Sequence, residues 1–177
     1  SSLLIHTDRE GRPEAISTLQ MVMTRLLTSL PAGRVKFTII DPVGLGQNFA
    51  GFMHLADHDE SLVGSRIWTE REHIEQRLLN LTEHMETVIQ KYLRNRYASI
   101  GDYNREVGIM AEAYHFLTIA DFPRGFSDVA MDRLAGIVAS GARCGVHTLI
   151  FSERGQKVPP AFTAPRFRTN GLVLTVG

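Results

Sequence analysis

Apolar residues recur along the chain in two rhythms, and the alternation between them predicts the architecture. Leu3-Leu4-Ile5 is a short apolar run that gives way to a polar stretch, His6 to Pro13. Beyond it Ile16, Leu19, Met23, Leu26, Leu27 and Leu30 follow the period of an amphipathic helix. Pro13 suits the first turn of that helix, where its missing N–H costs no hydrogen bond, and Pro31-Ala32-Gly33 closes it. Val35 to Ile40 is β-branched and aromatic and stops at Asp41-Pro42, so it reads as a second strand.

Val43 to Arg66 carries Gly44, Gly46, Gly51 and Gly64 and reads as a loop. Thr69 with Glu72 forms a capping box, and Ile74, Leu78, Leu81, Met85, Val88, Ile89 and Tyr92 mark one face of the longest helix, expected to reach Arg96. Ile100 to Asn104 begins a short turn or helix. His115 to Ile119 is a third strand, ended by Asp121-Phe122-Pro123, and Ser127 or Asp128 caps a helix carrying Met131, Leu134, Ile137 and Val138 inside. Gly141 to Gly145 ends that helix; Val146 to Phe151 is a fourth strand and Gly171 to Val176 a fifth, separated by a Pro-containing loop from Gln156 to Arg168. Strands alternating with helices predict an α/β domain with a parallel sheet covered on both faces. Neither a repeat nor an internal linker interrupts residues 1–177, which read as one domain.

Composition narrows the class. With 44% hydrophobic residues and 21% charged, a packed core replaces any expectation of disorder or low complexity. The single Cys144 forbids an internal disulfide framework, and no apolar run approaches the ~18 residues of a membrane span. A cytoplasmic setting without membrane contact is therefore expected, in a piece of a longer protein, since Ser1-Ser2-Leu3 opens without Met. Lys and Arg number 19 against 19 Asp and Glu, so no global field attracts nucleic acid, and DNA contact has to be argued locally.

In a parallel sheet, ligands bind beyond the carboxyl ends of the strands. Four clusters fall there: His6 to Pro13, Asp41 to Gly46, Ala120 to Arg124 and Ser152 to Lys157. The first has the place of a phosphate loop, with Gly11 but no Gly-Lys-Ser/Thr; Asp8, Glu10 and Glu14 repel phosphate, and Arg9 and Arg12 are the candidate cations. In the third, Asp121 ends an apolar strand where a phosphoryl-transfer enzyme carries a metal-proximal carboxylate, but Ala120 stands where a first acid is expected. A lone Asp there also suits a turn. His54, Asp57, His58 and Asp59 match no strong metal spacing, no Gly-x-Ser-x-Gly elbow exists, and no metal site is assigned. Cys144 reads as a buried structural thiol. Arg154, Lys157, Arg166 and Arg168 form a small basic set that either touches a phosphate backbone or makes a solvated rim.

Taken together, the segments resemble the motor domain of the FtsK/SpoIIIE DNA-translocase family, a RecA-like P-loop ATPase. The resemblance runs nearly the whole chain. Leu3 to Thr18 is similar to the family's first strand, phosphate loop and helix; Ile39-Ile40-Asp41-Pro42-Val43-Gly44-Leu45 to its Ile-Asp-Pro-Lys-Gly strand end. Glu83-His84-Met85 and Tyr103-Asn104 match its long helix and downstream Tyr-Asn; Ile119-Ala120-Asp121-Phe122 resembles its Walker B strand, and Gly145 to Gly155 its Gly-Ile-His-Leu-Ile-Leu-Ala-Thr-Gln-Arg-Pro segment. The resemblance implies a RecA-like three-layer α/β/α fold, ATP with Mg²⁺, a homo- or hetero-oligomeric ring, and DNA as cargo.

The departures fall on the catalytic positions: Thr7 to Glu14 lacks the Walker A Lys and Ser/Thr, Ala120 replaces the Walker B Asp, Asp121 stands for the Glu and Glu153 for the sensor Gln. Losing these groups removes a phosphate contact and both usual Mg²⁺ anchors. The expectation is a degenerate ATPase domain contributing to DNA segregation or translocation within a ring, with Arg154 or Arg143 serving a neighbour's site. Two alternatives stand beside it: a protein-interaction module like the degenerate ATPase domains of secretion motors, and an active ATPase in which Arg9 or Arg12 replaces the Lys.

Overall fold

A computed structural model describes residues 2–176. Five strands form one sheet in the order β2-β3-β4-β1-β5: β1 Ser2–Thr7, β2 Val35–Ile40, β3 Tyr114–Phe122, β4 Val146–Glu153 and β5 Gly171–Val176. Every ladder is parallel. The α/β architecture expected from the alternating pattern is the one found.

Two apolar layers explain why the strands read as continuous hydrophobic runs. Leu3 and Ile5 face α1 (Arg12–Ser29), packing with its Ala15, Ile16, Leu19 and Met23 and with Phe37, Ile39 and Phe151 of the neighbouring strands. Leu4 faces the other way, into a larger core shared with Ile119 and Ile150 and roofed by α3 (Arg71–Thr87) and α5 (Asp128–Ser140). A strand sandwiched between helices buries both sets of alternating side chains, so the period-2 signal disappears. Cys144 is buried, as expected of a structural thiol, and burial pushes its pKa up.

Several boundaries differ from those expected. Thr69 does not cap α3; Glu70 holds that position without a side-chain hydrogen bond. The reason is Trp68, whose N–H donates to the Ile39 carbonyl at 2.9 Å and whose carbonyl accepts from Asp41 N–H at 3.0 Å, so the chain is still extended beside β2 there. The long helix stops being α-helical at Thr87 and continues as a π turn, Val88–Leu93, which seats both Val88 and Leu93 in the core before Arg94 and Asn95 turn left-handed. The segments read as loops contain helical turns: a 3₁₀ stretch Gln47–Leu55, α2 (Glu60–Val63), and α6 (Ala164–Phe167), whose buried Phe167 and the preceding Phe162 plug the core. The turn after Ser99 is a full helix, α4 (Ile100–Val107). Ser127 caps α5 as expected, accepting from Ala130 N–H at 3.1 Å.

Candidate functional site

The carboxyl ends of β1, β3 and β4 open on one cleft of about 270 Å³, lined by Arg9, Arg12, Val43, Asp121, Arg124 and Glu153. Its floor is set by three turns.

The first turn joins β1 to α1 through four residues, Asp8 to Gly11. That is shorter than the eight-residue signature by which a phosphate loop wraps its ligand. Gly11 N–H is engaged, donating to Asp8 Oδ1 at 2.9 Å, and Pro13 has no N–H to offer. Gly11 is required for space rather than for backbone freedom. Its φ is an ordinary −81°, but a Cβ there would lie 2.0 Å from Thr7 Oγ1. That hydroxyl is fully buried beneath the loop and has no partner among the described residues.

The second turn follows β2. Asp41, fully buried, accepts from Gly44 N–H at 3.0 Å, from Asn48 N–H at 3.2 Å and from Asn48 Nδ2 at 3.0 Å. Its carboxylate organises the loop instead of facing the cleft. The resemblance at Ile39 to Leu45 thus marks a turn device.

The third turn carries the functional geometry. β3 pairs regularly with β4 up to Ile119 opposite Ile150, and pairing resumes at Phe122 opposite Ser152. Two residues, Ala120 and Asp121, therefore oppose Phe151 alone, which is a β-bulge. Asp121 takes φ +55°, a left-handed conformation that Asp tolerates better than most side chains. The extra residue turns Phe122 into the larger core, where it packs on Phe126 and Phe162, and aims the Asp121 carboxylate at α1.

There it meets Arg12. Nε donates to Asp121 Oδ1 and Nη2 to Oδ2, both at 2.7 Å, so the pair is a two-pronged fork reaching over the end of β4. Asp121 is 5% exposed and Arg12 32%. The hydrogen bonds to Asp121 raise the Arg12 pKa further, so the guanidinium stays charged throughout the useful pH range. At the rim Arg124 Nη2 lies 3.5 Å from Glu153 Oε2.

The cleft therefore gathers Arg9, Arg12 and Asp121, with Gly11 shaping the turn. It does not gather the two candidate trans-acting arginines. Arg154 donates its backbone N–H to the Thr7 carbonyl at 2.7 Å, and its side chain borders a different pocket with His6, Val158 and Phe162. Arg143 sits before β4, at the amino edge of the sheet, where Nε donates to the Ala98 carbonyl at 3.0 Å. Arg124 closed one of the four candidate clusters without being given a role; its position three residues past Asp121 was the available signal.

Mg²⁺ with ATP does not fit the residues present. The cleft's two strand-end carboxylates, Asp121 and Glu153, each face an arginine, Arg12 and Arg124, and the loop offers neither Lys nor hydroxyl. His54 and Asp57 approach to 3.6 Å on the surface, and among the described residues no group of three or more His, Cys, Asp or Glu could hold a metal ion.

No family model matches the chain, and no curated protein matches it. Solved structures do. The cytoplasmic domain of EssC superposes with a TM-score of 0.77 at 12% identity, over 98% of this chain and 32% of its own. The pCW3 conjugation coupling protein TcpA, in a monomer form with ATPγS, gives 0.68 at 15% identity, over 96% of this chain and 47% of its own. The cytoplasmic domain of the Thermomonospora curvata type VII secretion ATPase EccC gives 0.64 at 18% identity, over 88% of this chain and 18% of its own. The chain has the fold of these ATPase domains, the RecA-like α/β/α fold that the resemblance implies, and it spans less than half the length of each. Among the described residues, no helix is long and apolar enough to cross a membrane.

Proposed function

We propose that this chain is an ATPase-type module of a larger, oligomeric FtsK/SpoIIIE-type motor and contributes contacts and shape to the assembly rather than hydrolysis of its own. One observation carries the reading: the place where a phosphate loop would hold its ligand is closed by the chain's own Arg12–Asp121 fork, over a loop of four residues. A hydrolytic site needs a cation free for the phosphates and a carboxylate free for the metal-bound water. Here the two neutralise one another. Ala120, fully buried in the α1-side core, leaves no acid beside Asp121 on β3.

A protein cargo is favoured over DNA. EccC, one of the structures this chain resembles, is a type VII secretion ATPase, and the formal charge of zero gives no field for a phosphate backbone. Calorimetric titration with ATP and with ADP, each with Mg²⁺, at protein concentrations high enough to register millimolar affinity, tests the reading. No saturable heat is expected. Saturable binding lost in Arg12→Ala, with Mg²⁺-dependent turnover lost in Asp121→Ala, would replace it by an active ATPase with an atypical loop. Duplex DNA titrated into the assembled oligomer is expected to leave its mobility unchanged; salt-sensitive binding would restore DNA as cargo.

A further inference from the structure

The fork satisfies Arg12 in the manner of a ligand. A guanidinium presents two parallel N–H groups to two oxygens, a geometry that a carboxylate and a phosphate fill equally well. Asp121 fills it with both bonds at 2.7 Å, delivered by a bulge and a left-handed backbone that serve no other contact of the Asp121 side chain among the described residues. The cleft around the fork is cationic on balance. Three arginines, Arg9, Arg12 and Arg124, line it with two carboxylates, Asp121 and Glu153. Asp8 is turned into its own loop on Gly11 N–H, and Asp41 is turned into the loop after β2. Asp41 still acts on Arg12 through space, so neutralising Asp121 alone would leave three positive charges against two, those of Glu153 and Asp41.

We infer that the Arg12–Asp121 fork is an internal stand-in for a bound phosphoanion: Asp121 occupies Arg12, and the cleft accepts an anion of the phosphate class on Arg12, flanked by Arg9 and Arg124, once the Asp121 charge is withdrawn. The inference rests on the reading of this cleft as the counterpart of a nucleotide site. It inverts the behaviour expected of a hydrolytic site, where loss of the strand-end carboxylate weakens the handling of phosphate. In this chain the same substitution creates a phosphate site.

The test titrates inorganic pyrophosphate, without divalent cation, into the wild-type chain and into Asp121→Asn and Asp121→Gly. Asn keeps the shape and adopts left-handed backbone readily, and Gly removes the side chain while tolerating φ +55° best, so a folding failure of one leaves the other usable. At least tenfold tighter binding than wild type is expected in a folded variant, falling back to the wild-type level when Arg12→Ala is added. Folded variants that bind no better than wild type, or a gain that survives Arg12→Ala, overturn the inference. Its failure is separable from that of the functional reading: ATP turnover by the wild type sinks the non-hydrolysing module whatever pyrophosphate does, whereas unchanged pyrophosphate binding sinks only the stand-in.

Discussion

Removing either arm of the fork perturbs both the stability of the site and its chemistry, and a double-mutant cycle isolates the pair. Arg12→Ala leaves Asp121, 5% exposed, as an uncompensated buried carboxylate; Asp121→Ala leaves Arg12, 32% exposed, able to reach water. The first single variant should therefore be the more damaging. Hydrogen bonds to charged groups contribute roughly 1.5–3 kcal/mol each when enclosed, and exposed ion pairs roughly 0–1 kcal/mol in all. With one partner enclosed and the other a third exposed, a coupling of about 2 kcal/mol follows for the two bonds together. Ala at φ +55° adds strain of about 1 kcal/mol, but the strain is common to Asp121→Ala and the double variant and cancels from the cycle. Urea unfolding of the four proteins reads the coupling directly. With a slope near ~2 kcal/mol/M, it amounts to about 1 M in midpoint. A coupling below about 0.5 kcal/mol, the level of an ordinary surface pair, would refute the claim that the fork closes the site.

Three further outcomes follow from the same geometry. Gly11→Ala should cost about 1–3 kcal/mol in urea unfolding, because its Cβ would meet Thr7 Oγ1 at 2.0 Å, and most of that loss should vanish in a Thr7→Ala background; an undiminished loss there would mean the clash is not the cause. Burial lowers the pKa of His115 to about 3 and of His147 to about 4, below their ordinary 6.5, so the fold favours both rings neutral. Their contribution is complete above pH 6.5 and drains away as the pH falls, down to about 4 for His147 and about 3 for His115, by up to about 1.4 kcal/mol per pH unit for each ring. The urea midpoint should therefore fall between pH 7.5 and pH 5 and fall less in His115→Gln; equal falls would contradict the assignment. Ser127→Ala removes both the α5 cap on Ala130 N–H and the hydroxyl donated to Glu75, and should lower stability by about 1–2 kcal/mol in thermal unfolding, with no change expected if the cap is idle.

What could be read along the chain, and what could not, divides by range of interaction. Val35–Ile40 and the Ser127 cap are local signals, a β-branched run and a hydroxyl three residues before the N–H it accepts from, and both stand as read. The order of the strands is not local, and the fork depends on it. Arg12 and Asp121 lie 109 residues apart and meet only because β4 alone separates β1 from β3. The bulge was equally hidden. The sequence pattern ends the third strand at Ile119, and nothing in Ala120-Asp121-Phe122 says that pairing resumes at Phe122, drawn onto Phe126 and Phe162, leaving one residue too many. Thr69 and Glu72 carry a sound capping signature that loses to the extended pairing of Trp68 with β2.

Arg154 and Arg143, expected to serve a neighbour's site, both lie outside this chain's own cleft. A motif transfers a position on the sheet, and the side chain's direction then depends on register. Arg154 follows a strand that runs on to Glu153, so its backbone is tied to Thr7 and its side chain falls beside His6, away from the cleft. Asp121 is redirected by a bulge. A carboxylate with 5% exposure at that strand end needs a cation, since an unpaired buried charge is among the costliest defects a fold can hold. Arg12 supplies that cation. The contact that stabilises Asp121 is thus the same contact that occupies Arg12, and freeing that guanidinium for another group would first require a different partner for Asp121.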